Sequence, residues 1–220
     1  DLLRYLGRRV STTRALIIVT YRDDEVGPTH PLRSVMGDLA TATRLHRIVL
    51  NPLSAEAVQT LARDSEMDLA TLYRRTGGNP FFVTELLASG GQGISATVQD
   101  AVLARVARLS PAARSQLDAV AVIGARVEPW LLEAIAGKNP DAVDECLMSG
   151  MLQMARNQVV FRHELAREAI LSTIPLRRGR TLHAAALVAL RSVADDERHL
   201  ARLAHHAEAA GDCGAVLTFA

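Results

Sequence analysis

Three short clusters combine residue types and spacings suited to binding an anion or a flat ring. Thr20-Tyr21-Arg22-Asp23-Asp24 closes the apolar run Ala15-Leu-Ile-Ile-Val-Thr20. Residues just past the carboxyl end of a buried strand face the ligand in open α/β sheets. An arginine there offers charge-assisted hydrogen bonds worth about 1.5–3 kcal/mol to a phosphate. Thr76-Gly77-Gly78-Asn79-Pro80-Phe81-Phe82 joins two glycines, which let backbone approach closely, to a proline that fixes the first turn of the next helix. An adenine ring could stack on that proline. Phe161-Arg162-His163-Glu164-Leu165 puts a histidine where a strand hands over to a helix. A helix start favours anions, so His163 is placed to donate to a phosphate, and the same field disfavours its protonation. Each cluster taken alone has a plainer reading: a loop arginine paired with Asp23 or Asp24, a helix-turn-helix corner with two core phenylalanines, and a histidine that packs or caps.

Free-standing catalytic machinery is not evident. No Gly-x-x-x-x-Gly-Lys-Ser/Thr loop occurs; Gly137-Lys138 is followed by Asn139 and lacks the upstream glycine, so the chain is not expected to hydrolyse ATP alone. There is no Gly-x-Ser-x-Gly elbow, no His-Glu-x-x-His zinc helix and no paired-cysteine site.

The elements that must position the clusters follow from periodicity. Leu2, Leu3 and Leu6 repeat at helical spacing as far as Gly7, 15–20 reads as a strand buried on both faces, 45–50 as a second short strand, and 31–42 as a helix between them. Residues 1–51 therefore read as the tail of an α/β sheet. Residues 52–92 read as a small helical subdomain, with Ser54 and Asp68 as caps, Gly77-Gly78 as a stop, and Asn79-Pro80 starting the helix of Phe81, Phe82, Leu86 and Leu87. Residues 93–175 read as winged-helix-like. Thr97 and Asp100 suggest a capping box, Ser110-Pro111 and Asn139-Pro140 start helices, another helix surrounds Trp130 to Ile135, and 151–155 and 158–161 flank an Arg156-Asn157 turn before the helix that follows His163. Residues 176–220 are alanine-rich, with Gly211-Asp212 as the one clear break, and suit the start of TPR-like helical repeats. The fold class is thus mainly α with minor β.

The order and spacing of the three clusters resemble the STAND class of signalling NTPases, within the wider AAA+ group. The whole chain is similar to the ATPase region of the large ATP-binding LuxR-type transcriptional regulators, the MalT-like proteins. The resemblance implies that residues 1–51 are the C-terminal part of an α/β NTPase core and 52–92 its helical lid, and that Thr20 and Arg22 form the first sensor. It implies that Gly78-Asn79-Pro80, within Gly-Gly-Asn-Pro-Phe-Phe-Val-x-Glu-Leu-Leu, is the lid motif that contacts adenine. It also implies that His163, in Arg162-His163-Glu164, stands for the histidine of a Met-His-Asp-like motif on the bound diphosphate. Arg162 and Glu164 depart from that motif. The nucleotide is expected to be ATP or ADP. The phosphate loop, the acidic strand that places magnesium and the DNA-binding domain are expected outside this chain, which then reads as an internal, regulatory, non-catalytic fragment. The alternatives are a winged-helix DNA-binding module and a helical protein-interaction adaptor.

Charge names no partner. The 220 residues include 25 basic and 24 acidic ones, interspersed to a net +1, which gives no broad footprint for nucleic acid or anionic membrane. No apolar run approaches the roughly 20 residues of a bilayer span, and Cys146 and Cys213 lie too far apart for metal or redox spacing. A cytoplasmic location is expected. Self-association, or binding of a regulatory protein or inducer, is expected through the helical repeats, and DNA binding only through the outlying domain. His199, His205 and His206 invite a metal by type, but His-Ala-Glu-Ala-Ala-Gly-Asp resembles a packing pattern, and no metal ligand is assigned.

Overall fold

The computed structural model describes residues 2–10, 13–27, 29–40, 45–91, 93–193 and 199–219. They fall into two units, Asp1–Asn51 and Pro52–Ala220. Among the described residues the fold is mainly helical, with one two-stranded antiparallel sheet.

The smaller unit rests on α1 (Leu2–Arg9), which continues past Gly7, packed against α2 (Pro31–Leu39). Pro31 takes the first position of α2, and His30 Nδ1 accepts from the Leu32 N–H at 3.1 Å, so proline and cap together set the helix start. The two expected strands need correction. Residues 15–20 and 45–50 are extended, yet neither joins a ladder among the described residues. Leu16 is 84% exposed and Ile48 80%. A run that is apolar on both faces becomes a buried strand only when neighbours bond its backbone and cover both faces, and the described residues supply neither. The end of the helix expected over 31–42 lies partly outside the described residues.

The larger unit begins with three short helices, α3 (Ala55–Leu61), α4 (Leu69–Thr76) and α5 (Pro80–Ala88). Ser54 Oγ accepts from the Ala57 N–H and Asp68 Oδ2 from the Thr71 N–H, satisfying donors that each helix start leaves open. Next comes α6 (Ala96–Val106). Its cap is Ser95 rather than the expected Thr97: Ser95 Oγ accepts from the Val98 N–H at 3.2 Å and donates to Glu85 Oε2 at 2.7 Å. The extra bond to α5 favours the earlier start.

A buried helix, α7 (Pro111–Ile123), forms the centre of the core, with Leu117 and Ala119 to Ile123 all buried. Around it lie α8 (Pro129–Ala136), α9 (Pro140–Met148), strands β1 (Leu152–Ala155) and β2 (Gln158–Phe161), and α10 (Glu164–Leu171). The hairpin pairs Leu152 with Phe161 and Ala155 with Gln158. Arg156 and Asn157 both take positive φ, 49° and 63°, the two-residue turn whose twist matches the strands. Val127, between α7 and α8, exchanges backbone hydrogen bonds of 2.9 and 2.8 Å with Val159 and lengthens the sheet by one bridge. A single residue has no period, so sequence patterning could not reveal it.

The alanine-rich end is α11 (Leu176–Arg191), α12 (Leu200–Ala210) and α13 (Cys213–Phe219). The stretch therefore breaks after Arg191 as well as at Gly211. Ser192 and Val193 form a turn after α11, and 194–198 lie outside the described residues. No helix among the described residues is long and apolar enough to cross a membrane.

Candidate functional site

The corner between α4 and α5 is set by its glycines and by a buried threonine. Gly77, at φ 59°, closes α4 by donating its N–H to the Tyr73 carbonyl at 2.7 Å. Gly78 follows at φ 73°, and its carbonyl accepts from the Leu53 N–H at 2.8 Å. A Cβ on Gly78 would lie 2.4 Å from the Leu53 carbonyl oxygen, so no other residue fits without backbone movement. Thr76 is fully buried; its Oγ1 donates to the Leu72 carbonyl at 2.8 Å and accepts from the Gly78 N–H at 3.3 Å. Asn79 Oδ1 then caps α5 by accepting from the Phe81 N–H at 3.0 Å, and Pro80 occupies the first helical position with its ring exposed.

His163 comes to this corner from the far end of the hairpin. It is the residue before α10, with extended φ and ψ of −135° and 130° and no side-chain capping bond, so capping is not its role. Its imidazole stands edge-on to the Phe82 ring, with centroids 5.0 Å apart and planes at 73°. A Cβ on Gly77 would lie 3.1 Å from His163 Nδ1. The structure thus brings His163 against Gly77 and Phe82, the two residues that flank Gly78, Asn79 and Pro80 in the chain.

A second tie holds α4 to α10 beside that contact. Arg75 Nε and Nη2 donate to the two carboxylate oxygens of Glu168 at 3.1 and 2.6 Å, and Arg75 Nη1 reaches the Gly91 carbonyl at 3.4 Å. This forked pair is mostly shielded, with side chains 19% and 28% exposed. Sequence reasoning missed it, because nothing in local spacing marks partners so far apart in the chain. The Thr76 hydroxyl was also missed, although a threonine directly before two glycines was a usable sign.

Thr20 and Arg22 belong to the smaller unit. Thr20 ends the exposed extended run, and Arg22 precedes a short turn at Asp23–Glu25. Arg22 Nε lies 3.5 Å from the Glu25 carboxylate, and the Asp24 side chain, one of the expected partners, lies outside the described residues. Two open depressions mark the surface of the larger unit, one near Asp64, Met67 and Arg75 and one near Gln59, Arg63 and Leu69. Neither is lined by Pro80 or His163. Cys146 is no nucleophile: its Sγ lies 3.3 Å from the Ala113 carbonyl, and burial, with the nearby Glu145 charge, pushes the thiol up to about 12.

Comparison of the chain with protein-family models, with curated proteins and with solved structures finds no match.

Proposed function

We propose that the chain is a nucleotide-responsive regulatory region of the STAND class, similar to the MalT-like LuxR-type transcriptional regulators, and that it acts as a conformational switch without being catalytic alone. The observation that carries the reading is the contact of His163 with the Gly77–Phe82 corner. On this reading the exposed Pro80 ring receives adenine. His163, held against Phe82 at the start of α10, donates to the diphosphate, where the helix N-terminus adds favourable field. The element order of α7, the Val127 bridge, α8, α9 and the β1–β2 hairpin supports a winged helix at 93–175. The α11–α13 helices support the start of a TPR-like array. Thr20 and Arg22 enter as a sensor through the resemblance alone. Neighbouring strands would cover the apolar runs at 15–20 and 45–50, and magnesium and the phosphate loop would come from residues outside this chain.

The switch needs differential affinity, because a ligand shifts only the equilibrium between states that it binds unequally. ADP that touches both α5 and the start of α10 favours the arrangement in which Arg75 grips Glu168, and its loss frees the lid to move. Reading of DNA by α9 is disfavoured, since Asp141, Asp144 and Glu145 on that helix repel phosphates. The test is ADP titration of the longer protein that this reading implies. Pro80→Ala and His163→Ala are each expected to weaken binding about tenfold, about 1.4 kcal/mol, with folding intact. Unchanged affinity in both overturns the assignment.

A further inference from the structure

We infer that His183, His205 and His206 form a binding site for one divalent transition-metal ion of the zinc class, clamped between α11 and α12. One ligand atom from each of the three lies within 4.8 Å of the others. The rings form a closed triangle, with centroids 5.5 Å apart for His183 and His205, 5.1 Å for His183 and His206, and 5.2 Å for His205 and His206.

The seam between the helices explains two of the three. Leu203, His206 and Ala207 line one side of α12, and Leu182, Ala186 and Leu190 are buried on α11. His206 is only 1% exposed at a position where an aliphatic side chain would pack as well. A buried polar ring needs a partner, and His183 supplies it, with the two Nδ1 atoms 2.9 Å apart. That pair satisfies the seam by itself. Packing does not call for the third imidazole, His205, which is exposed and stands edge-on to both rings.

Three imidazoles are a ligand set suited to zinc, copper or nickel, and three protein ligands leave a fourth position for water. Metal–nitrogen bonds of about 2.0–2.1 Å in a tetrahedral site place the nitrogens roughly 3.3–3.4 Å apart. The inner pair must therefore open slightly and His205 must swing inward, which its exposure allows. Burial holds His206 down to about 3, helped by His183, His205 and Arg202, and burial with His205 also lowers His183, so the lone pairs are available at neutral pH. When the metal takes both Nδ1 lone pairs, the proton shared between them moves to an outer Nε2, and none need leave the protein. Arg202, one turn before His206, would repel a cation, but its charge is met by the Glu128 carboxylate at 2.9 and 3.0 Å.

The test is titration of the tag-free chain with Zn2+ against a chromophoric chelator, in a Cys213→Ser background that removes the exposed thiol. One Zn2+ per chain is expected. His205→Ala, on an exposed position that leaves the seam intact, and His183→Ala should each weaken binding at least about tenfold, while His46→Ala and His199→Ala leave it unchanged. Co2+ in place of zinc should give visible d–d absorption that His205→Ala abolishes. Absence of stoichiometric binding, or an affinity indifferent to His205→Ala, overturns the inference.

Discussion

The imidazole of His163 meets the ring of Phe82 edge-on at 5.0 Å, so the residue just before α10 is seated on the first turn of a helix from a different part of the larger unit. The contact turns two unremarkable motifs into one place. Gly77 is what permits it, since any side chain there would press on His163 Nδ1.

The close approach at Gly78 is separable from its backbone conformation. Gly90 has φ 61° with open space where a Cβ would go, whereas a Cβ on Gly78 meets the Leu53 carbonyl. Gly90→Ala should cost about 1–3 kcal/mol of strain at most. Gly78→Ala should cost measurably more, read by urea unfolding. Equal losses would show that the Leu53 contact yields freely.

The Arg75–Glu168 fork should couple lid and α10 energetically. Each of Arg75→Ala and Glu168→Ala is expected to destabilise the larger unit by roughly 1.5–3 kcal/mol, the range for hydrogen bonds to charged groups. The double mutant should lose less than the sum. Additive losses would mean the pair contributes nothing as a pair.

Glu145 gives a pH signature. Its carboxylate accepts from Ser110 Oγ at 2.6 Å and from the Ser110 N–H at 2.7 Å, and these bonds hold it below its ordinary 4.5. A carboxyl lowered in the folded state contributes stability above its unfolded value that is lost as pH falls through the folded one. Glu145→Gln should therefore be less stable than the parent at pH 7, with the gap closing as pH falls below about 4.5. A gap independent of pH would contradict this.

The two thiols should differ sharply. Cys213 is exposed and should react with a thiol reagent in the native protein; Cys146 is buried with its thiol at about 12 and should react only on unfolding. Equal native rates would contradict its burial.

What the sequence disclosed was local. Ser54, Asp68, Asn79, Ser110 and Asn139 each accept the backbone bond that their position before a helix implies. The Arg156-Asn157 turn likewise follows from alternation on either side of it. The Ser95 cap and the break after Arg191 were local misses; the larger failures involve partners distant in the chain. The apolar run at 15–20 has strand composition but joins no ladder among the described residues, because β-propensity describes a fit to neighbours that composition does not provide. Val127 joins the sheet through one residue, Arg75 finds Glu168 across the unit, and the histidine cluster takes His183 from α11 where sequence proximity suggested His199.

The central claim concerns what meets the corner where His163 touches the lid. The most direct measurement is the response of the Gly77 and Gly78 amides and the His163 ring to ADP, followed by NMR in the longer protein that the proposed function implies. The account predicts that all three signals shift together along a single saturating isotherm. Saturation by ADP with these three signals unmoved would contradict it.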